Sequence, residues 1–280
     1  MSHTRTAEAI DHTLARQPAA SLEVSFSDEQ IGAFETKGYA WIDRITTDEE
    51  VVWLREVYDW LFEDKRNALK GAHFDLVRPY DSEGEDRLPQ VLAPEKRLPL
   101  LTRTAFWRNG RKLASQLMRL EADRLEGWGH MIRKPPKIGE SLPWHQDEAY
   151  WDPALVYRAL GCWMPLDDAT IENGCMKFIP GSHRSEVMPH RHVGDDPNVH
   201  ALFTTPGPAA IARANPVPMR AGGAVFHHSR TLHASGPNTT DRVRRAYANE
   251  WQLPPQKAEA TPDRPWMNEF KSAWAARKLD

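Results

Sequence analysis

Apolar positions recur at helical spacing in the first half of the chain and in short period-two runs in the second. "SFSDEQIGAFETKGYAWI" predicts a helix and then a strand. Ser27 stands at the N-cap, Gln30 at the capping-box position, and Ile31 and Phe34 share a face. Gly38 ends the helix, and Tyr-Ala-Trp-Ile favours extended backbone. "TTDEEVVWLREVYDWLFEDKRNAL" has the strongest helical pattern. Thr47 with Glu50 offers a second capping box, and Val51, Leu54, Val57, Tyr58, Leu61 and Phe62 form one stripe. A further helix is expected over Ala105–Leu125, and an amphipathic one over about 265–278.

Between the helices, residues 71–99 read as a long loop of charges, prolines and scattered aromatics. Residues 1–20 lack a sustained apolar period and read as a flexible N-terminal arm. From "GWGHMIRK" to "RRAYANEWQL" the chain breaks into short β-like runs separated by Gly, Pro, Asn and Asp. Helices followed by many short strands predict a mainly β fold, a sandwich or barrel backed by helices. The simplest division is a single domain over 21–280. It has a helical layer over about 27–125, a β core over about 126–253 and the terminal helix.

Composition narrows the function classes. With 280 residues, 40% hydrophobic and 27% charged, the chain has the make-up of a globular protein with one large core. A formal net charge of -3 gives no general reason to expect nucleic acid or an anionic membrane as partner. No apolar run approaches the roughly 20 residues needed to cross a bilayer, and the first residues lack a signal-peptide core. A cytoplasmic protein acting on a small molecule is the expectation. Cys162 and Cys175 are too few for a thiolate metal site or a disulfide scaffold and read as buried, reduced side chains. The 11 Trp supply large rigid surface for a core or a pocket wall.

The candidate chemistry lies in "LPWHQDEAYW" and "GGAVFHHSRTLHASGPNTTDRVRRAYANEW". On a strand, His145 and Asp147 project from one face and Gln146 from the other. With His233 they make two imidazoles and a carboxylate, the facial set that leaves positions open on a non-haem iron(II). A keto acid chelating that iron needs a cation for its far carboxylate. Arg244, eleven residues after His233, offers a bidentate guanidinium. Ser235, two after His233, offers a hydroxyl on the same face. His227 or His228 stands as an alternative to His233. "PHRHVGDD", with His190, His192 and Asp195, is a rival cluster read as a solvated loop.

These segments, with "FSDEQIGAFETKGYAWI", "DATIENGCMKFIPGSH" and "HASGPN", resemble the phytanoyl-CoA dioxygenase family of iron(II)/2-oxoglutarate oxygenases from about Phe26 to Trp251. The resemblance implies a double-stranded β-helix (jelly-roll, cupin-like) core, with His145, Asp147 and His233 as iron ligands. It also implies that Arg244 and Ser235 hold 2-oxoglutarate, with Trp163, His130 and Ile132 lining the cosubstrate pocket. The implied activity is a dioxygenase that hydroxylates an unactivated C–H bond and releases succinate and carbon dioxide. Halogenases of this kind replace the carboxylate ligand; Asp147 is present here, so hydroxylation is expected. A cupin-like metal dioxygenase or isomerase without 2-oxoglutarate would leave Arg244 and Ser235 idle, and a non-catalytic module would not need the ligands at all.

Several residues stay open at this level. His183 either closes a turn or reaches the pocket, and Trp144 and Trp151 either pack in the core or wall a cavity. Arg242 and Arg245 read as surface charge. Arg78 and Lys96 either pair with an anionic group or are solvated. The segments 71–99 and 184–208 and the region of Trp151 are the expected determinants of substrate.

Overall fold

Ser27 and Thr47 start their helices as the cap pattern predicts: each side-chain oxygen accepts from the backbone N–H three residues on. The computed structural model describes residues 7–80 and 82–268. Its N-terminal part holds α1 (Ala7–Ala15), α2 (Asp28–Lys37), β1 (Tyr39–Ile42), α3 (Asp48–Glu63), β2 (His73–Asp75), β3 (Pro89–Leu92), α4 (Pro94–Arg97) and α5 (Ala105–Met118). Strands β4 (Glu126–Lys134), β5 (Leu142–His145), β6 (Leu155–Val156), β7 (Ala159–Pro165) and β8 (Met176–Phe178) follow. The rest comprises β9 (Arg191–His192), β10 (Leu202–Phe203), α6 (Pro208–Ile211), β11 (Asn215–Val217), β12 (Ala224–His228), β13 (His233–Ser235), β14 (Arg244–Gln252), β15 (Gln256–Lys257) and α7 (Pro265–Asn268).

Two antiparallel sheets form the jelly roll. The larger runs β1-β12-β7-β14-β4-β3-β2 and the smaller β11-β8-β13-β5. Alternation along the large sheet's strands divides their side chains between two cores. Trp163, Val225, Ala246 and Ala248 face the small sheet's Met176 and Phe178. Cys162, Met164, Phe226, Tyr247 and Trp251 face the helices, where the α3 stripe and α5 cover them. Both faces are therefore buried, which is why β7 is apolar throughout rather than alternating. Both cysteines are buried and free. Among the described residues no helix is long and apolar enough to cross a membrane.

The local signals resolve with two refinements. The Ser27–Gln30 capping box is complete, and Gly38 closes α2 at φ +84°. A Cβ there would also lie 2.4 Å from His183 Nδ1, so glycine is required twice over. The Thr47–Glu50 box is only half formed. Glu50 turns inward instead, its carboxylate accepting from the N–H groups of Ala105 (2.7 Å) and Phe106 (2.9 Å) and from the Thr46 hydroxyl (2.5 Å). A buried acid on α3 thus satisfies the open N-terminus of α5 and ties the two helices together.

Four expectations differ from the structure. The segment expected as a loose arm forms α1, with Ile10 buried and Thr13 O accepting from Trp53 Nε1 at 2.8 Å. Its amphipathic face becomes visible only against α3. Within the predicted loop 71–99, β2 and β3 pair with each other, and β3 joins β4, extending the large sheet. Strands of three and four residues leave too little periodicity to detect. The helix expected to Leu125 ends at Met118, where Arg119 takes a left-handed conformation (φ +52°). Arg245 is no surface charge: it bridges Asp59 (2.7 Å) and Asp167 (3.0 Å), pinning β14 to α3. Arg242 is exposed. The predicted C-terminal helix lies outside the described residues beyond Asn268.

Glu95 on α4 provides a pH test of this packing. Burial pushes its carboxyl up to about 7, although it accepts from the Gly129 N–H at 3.2 Å. A folded pKa above the unfolded value of about 4.3 makes the folded state bind more protons between the two values, so stability falls as pH rises through that window. Glu95→Gln is expected to stabilise the protein by about 1–3 kcal/mol at pH 8 and by little at pH 4.5, read from urea unfolding at both values.

Candidate metal centre and cosubstrate pocket

His145 ends β5 and His233 begins β13, and the two are register partners with ring centroids 4.1 Å apart. Each ring is oriented from behind. His145 Nδ1 donates to Pro143 O at 2.8 Å, and His233 Nδ1 donates to Thr231 O at 2.9 Å. A carbonyl only accepts, so the hydrogen resides on Nδ1 and each Nε2 keeps its lone pair for the centre. Asp147 Oδ1 lies 3.7 Å from His145 Nε2 and 3.4 Å from His233 Nε2. The three ligand atoms fall within 4.8 Å of one another. Asp147 reaches this point by a different route from the expected strand alternation: β5 stops at His145, and Asp147 opens a 3₁₀ turn to Tyr150. Gln146 does point away. Its amide donates to Arg230 O (2.8 Å) and accepts from Met188 N–H (2.8 Å), which anchors the turn.

The alternative ligand His227 has another position. Its Nε2 donates to Asp147 Oδ2 at 2.8 Å, so it orients the carboxylate and leaves Oδ1 toward the two other histidines. Gly161 on β7 makes room for it: a Cβ there would sit 2.6 Å from His227 Cε1. Gly161→Ala is expected to displace that imidazole and weaken cobalt(II) binding, a stand-in for iron(II), by about 10-fold, measured by titration of the cobalt absorption. His228 faces His183 and lines neither cavity described below.

Burial, aided by His233, drives His145 down to about 3, so it is neutral. For Asp147 burial acts to raise the pKa, but His233 and His227 outweigh it and hold the carboxyl well below the usual range. His233 shows the reciprocal effect: burial lowers it, and Asp147 more than restores it. One carboxylate with two imidazole Nε2 atoms is a donor set suited to a divalent cation.

A narrow inner pocket of about 60 Å³ extends from this centre between the sheets. Arg244 lines it, only 2% exposed, and its Nε and Nη1 have no hydrogen-bond partner. The guanidinium lies over the Trp163 ring at 5.4 Å, and burial lowers its pKa to about 10. An unmatched buried guanidinium is costly unless an anion completes it, which is the fit test for a keto-acid carboxylate. Ser235, His130 and Ile132 line the same pocket. Lys134 sits opposite Arg244 across β4, but its ammonium donates to Glu140 O.

Glu250 is a pocket residue that the sequence reading missed. Arg244, Ala246, Ala248 and Glu250 occupy one face of β14, and Glu250, 5% exposed, lines the inner pocket with Oε2 unpartnered. Burial, then Asp147, pushes its carboxyl well above the usual range. The period-two relation to Arg244 was the available signal.

A second cavity of about 450 Å³ adjoins the inner pocket, sharing His145, Asp147 and Glu250 with it and walled by Trp128, Tyr150, Trp151, Tyr157 and His200, with Lys96, Asp152 and Gln252 also lining it. Trp151 therefore walls a cavity. Trp144 lines neither cavity and stacks under Lys177 at 5.1 Å. His183 packs over Gly38, away from both cavities. The rival cluster disperses, and it is no solvated loop, since His190 and His192 are buried. His190 Nε2 accepts from Gln146 N–H (3.2 Å), His192 lies between Val199 O and Trp266 O, and Asp195 pairs with Arg191. Arg78 donates to the carbonyls of Glu83 and Glu85 within its own loop.

The pattern of the phytanoyl-CoA dioxygenase (PhyH) family matches residues 34–246. Phytanoyl-CoA dioxygenase domain-containing protein 1 from Mus musculus is 36% identical over 119 residues, 41% of this chain and 40% of that protein, so the chain spans less than half of that relative's length. The crystal structure of EvdO2 from Micromonospora carbonacea var. aurantiaca, complexed with 2-oxoglutarate, superposes with a TM-score of 0.75 at 36% identity, covering 88% of this chain and 98% of that one. The non-heme alpha-ketoglutarate-dependent carbocyclase SnoK from nogalamycin biosynthesis superposes at 0.63 with 26% identity, over 85% and 88% of the two chains. The chain belongs to the phytanoyl-CoA dioxygenase family of iron(II)/2-oxoglutarate-dependent oxygenases.

Proposed function

We propose that this protein hydroxylates an unactivated C–H bond of a small molecule, with His145, Asp147 and His233 holding iron(II) and Arg244 and Ser235 holding 2-oxoglutarate. The observation that carries the reading is the buried guanidinium of Arg244, unpartnered in the same inner pocket as the triad. When bound, iron(II) with 2-oxoglutarate and dioxygen supplies the oxidant, with succinate and carbon dioxide as coproducts. The chain's own residues do the rest. His227 holds Asp147 in place, Pro143 O and Thr231 O orient the two imidazoles, and the apolar inner walls exclude water. Arg244 and Ser235 would fix the cosubstrate's far carboxylate, so that its keto-acid end meets the triad.

The outer cavity bears on the substrate. Among the described lining residues Lys96 is the one Lys or Arg, against the carboxylates of Asp147 and Asp152. A polyanionic coenzyme A thioester finds little to hold its phosphates there, whereas a neutral polar molecule with a ring face suits the aromatic walls. The carbocyclase activity in the name of SnoK favours a second outcome at the same site, oxidative ring closure in place of hydroxyl transfer.

The test is anaerobic addition of iron(II) and 2-oxoglutarate, followed by succinate release across candidate substrates. A weak visible charge-transfer band and substrate-dependent succinate are expected. Protein that retains iron yet shows no band would refute the reading. A coenzyme A thioester is expected to leave succinate release at its substrate-free rate.

A further inference from the structure

The family pattern ends at residue 246, yet the chain beyond β14 returns to the metal centre. Residues 253–266 run along the segment 147–158, which carries Asp147 at one end and Tyr150, Trp151, Asp152 and Tyr157 of the outer cavity wall. The contact is made at both ends of this stretch, over 253–258 and again at 264–266. Leu253 N–H donates to Arg158 O (3.0 Å), β15 pairs with β6, and Ala258 N–H donates to Ala154 O (2.8 Å). Arg264 then enters beneath the 3₁₀ turn. Its Nη1 donates to Glu148 O (2.5 Å) and Trp151 O (3.4 Å), and its Nη2 lies 3.4 Å from Glu148 Oε1. Trp266, buried, donates from Nε1 to Ala149 O at 3.0 Å.

Glu148 links this strap to the other ligand-bearing region. Its buried carboxylate accepts from Arg230 Nε (2.8 Å) and Nη2 (3.0 Å), and its N–H donates to Ser229 O (3.2 Å), three to four residues before His233. A 3₁₀ turn has few hydrogen bonds of its own, and its carbonyls are here satisfied from the strap. The Glu148 carbonyl also accepts from the turn's own Trp151 N–H (3.3 Å), with Arg264 Nη1 as its second donor, whereas the Ala149 carbonyl accepts from Trp266 Nε1.

We propose that residues 253–266 form a positioning strap, in which Arg264 and Trp266 set the place of Asp147 and of the aromatic cavity wall without touching metal or substrate. The inference rests on the metal reading above, and its test separates the two. Arg264→Ala and Trp266→Ala would each be made in the full-length chain, and two quantities measured. One is cobalt(II) affinity from the d–d absorption, and the other is amide hydrogen exchange by segment.

The expected result is a fall in cobalt(II) affinity of about 10-fold or more, the size seen when supporting residues of a metal ligand are lost. Exchange should quicken within 147–158 while β7 and β14 stay as protected as in the unaltered protein. Arg264→Lys, which keeps the charge and loses the fork, is expected to recover part of the affinity. Affinity unchanged within twofold in both alanine variants would overturn the strap, as would exchange rising equally across the sheets. Failure of the unaltered protein to bind cobalt(II) would instead refute the metal reading; the exchange pattern would then still decide whether the strap holds the cavity wall.

Discussion

Asp147→Ala is expected to remove 2-oxoglutarate turnover altogether and to weaken cobalt(II) binding by at least about 100-fold, the upper end of what loss of a supporting group costs and a lower bound for loss of a ligand itself. Asp147 is the only carboxylate in the triad, and its two oxygens face His227 Nε2 on one side and the His145 and His233 Nε2 atoms on the other. Without it, His227 Nε2 loses its 2.8 Å partner, and the two ligand histidines lose the charge that favours a cation between them. The fold should persist, because neither core depends on this side chain. Turnover of 2-oxoglutarate by a metal-loaded Asp147→Ala protein at the unaltered rate would show that the centre lies elsewhere.

Arg244→Ala is the second large effect, and its signature is selectivity. Two charge-assisted hydrogen bonds to a carboxylate contribute roughly 1.5–3 kcal/mol each, so 2-oxoglutarate affinity is expected to fall by about 100-fold or more. Cobalt(II) affinity, measured without cosubstrate, should change by less than about threefold, because the groups that act on the Arg244 charge are Tyr58, Asp167 and Cys175 and not the triad. Removing a buried, unpartnered guanidinium also relieves a desolvation cost, so the variant should be no less stable than the parent except for the space it leaves above Trp163. Equal loss of metal and cosubstrate binding would mean that Arg244 supports the triad and not the keto acid. Calorimetric titration of each ligand separately distinguishes the cases.

Local chemistry was legible wherever one segment contained the whole signal. Ser27 and Gln30, the α3 stripe and the Gly38 stop each depend on residues within a few positions, and each is found in place. The pairing of His145 with Asp147, and of His233 with Ser235 and Arg244, was likewise proposed from spacing within single runs. The structure brings these residues to one centre and one pocket. Half of the Thr47–Glu50 box failed because Glu50 found a better use, two orphan N–H groups on a helix 55 residues away. No local rule weighs that option.

What the sequence alone determined was therefore the inventory: which residue types could bind a metal, which could hold a carboxylate, and a mainly β fold with helices on one side. Tertiary structure decided the partnerships. It selected His227 as the orienting donor to Asp147 across 80 residues and brought Glu250 into the pocket six residues along β14 from Arg244. It also turned Arg245 from apparent surface charge into a clamp on Asp59 and Asp167, and laid Arg264 and Trp266 under the metal turn. The physical reason is common to all of these. Hydrophobic periodicity specifies which face of a strand is buried, but only closure of two sheets onto each other specifies which buried polar group meets which. An unpaired charge or donor in that interior is costly, so most are matched, and the Arg244 guanidinium and Glu250 Oε2 that stay unmatched both face the inner pocket.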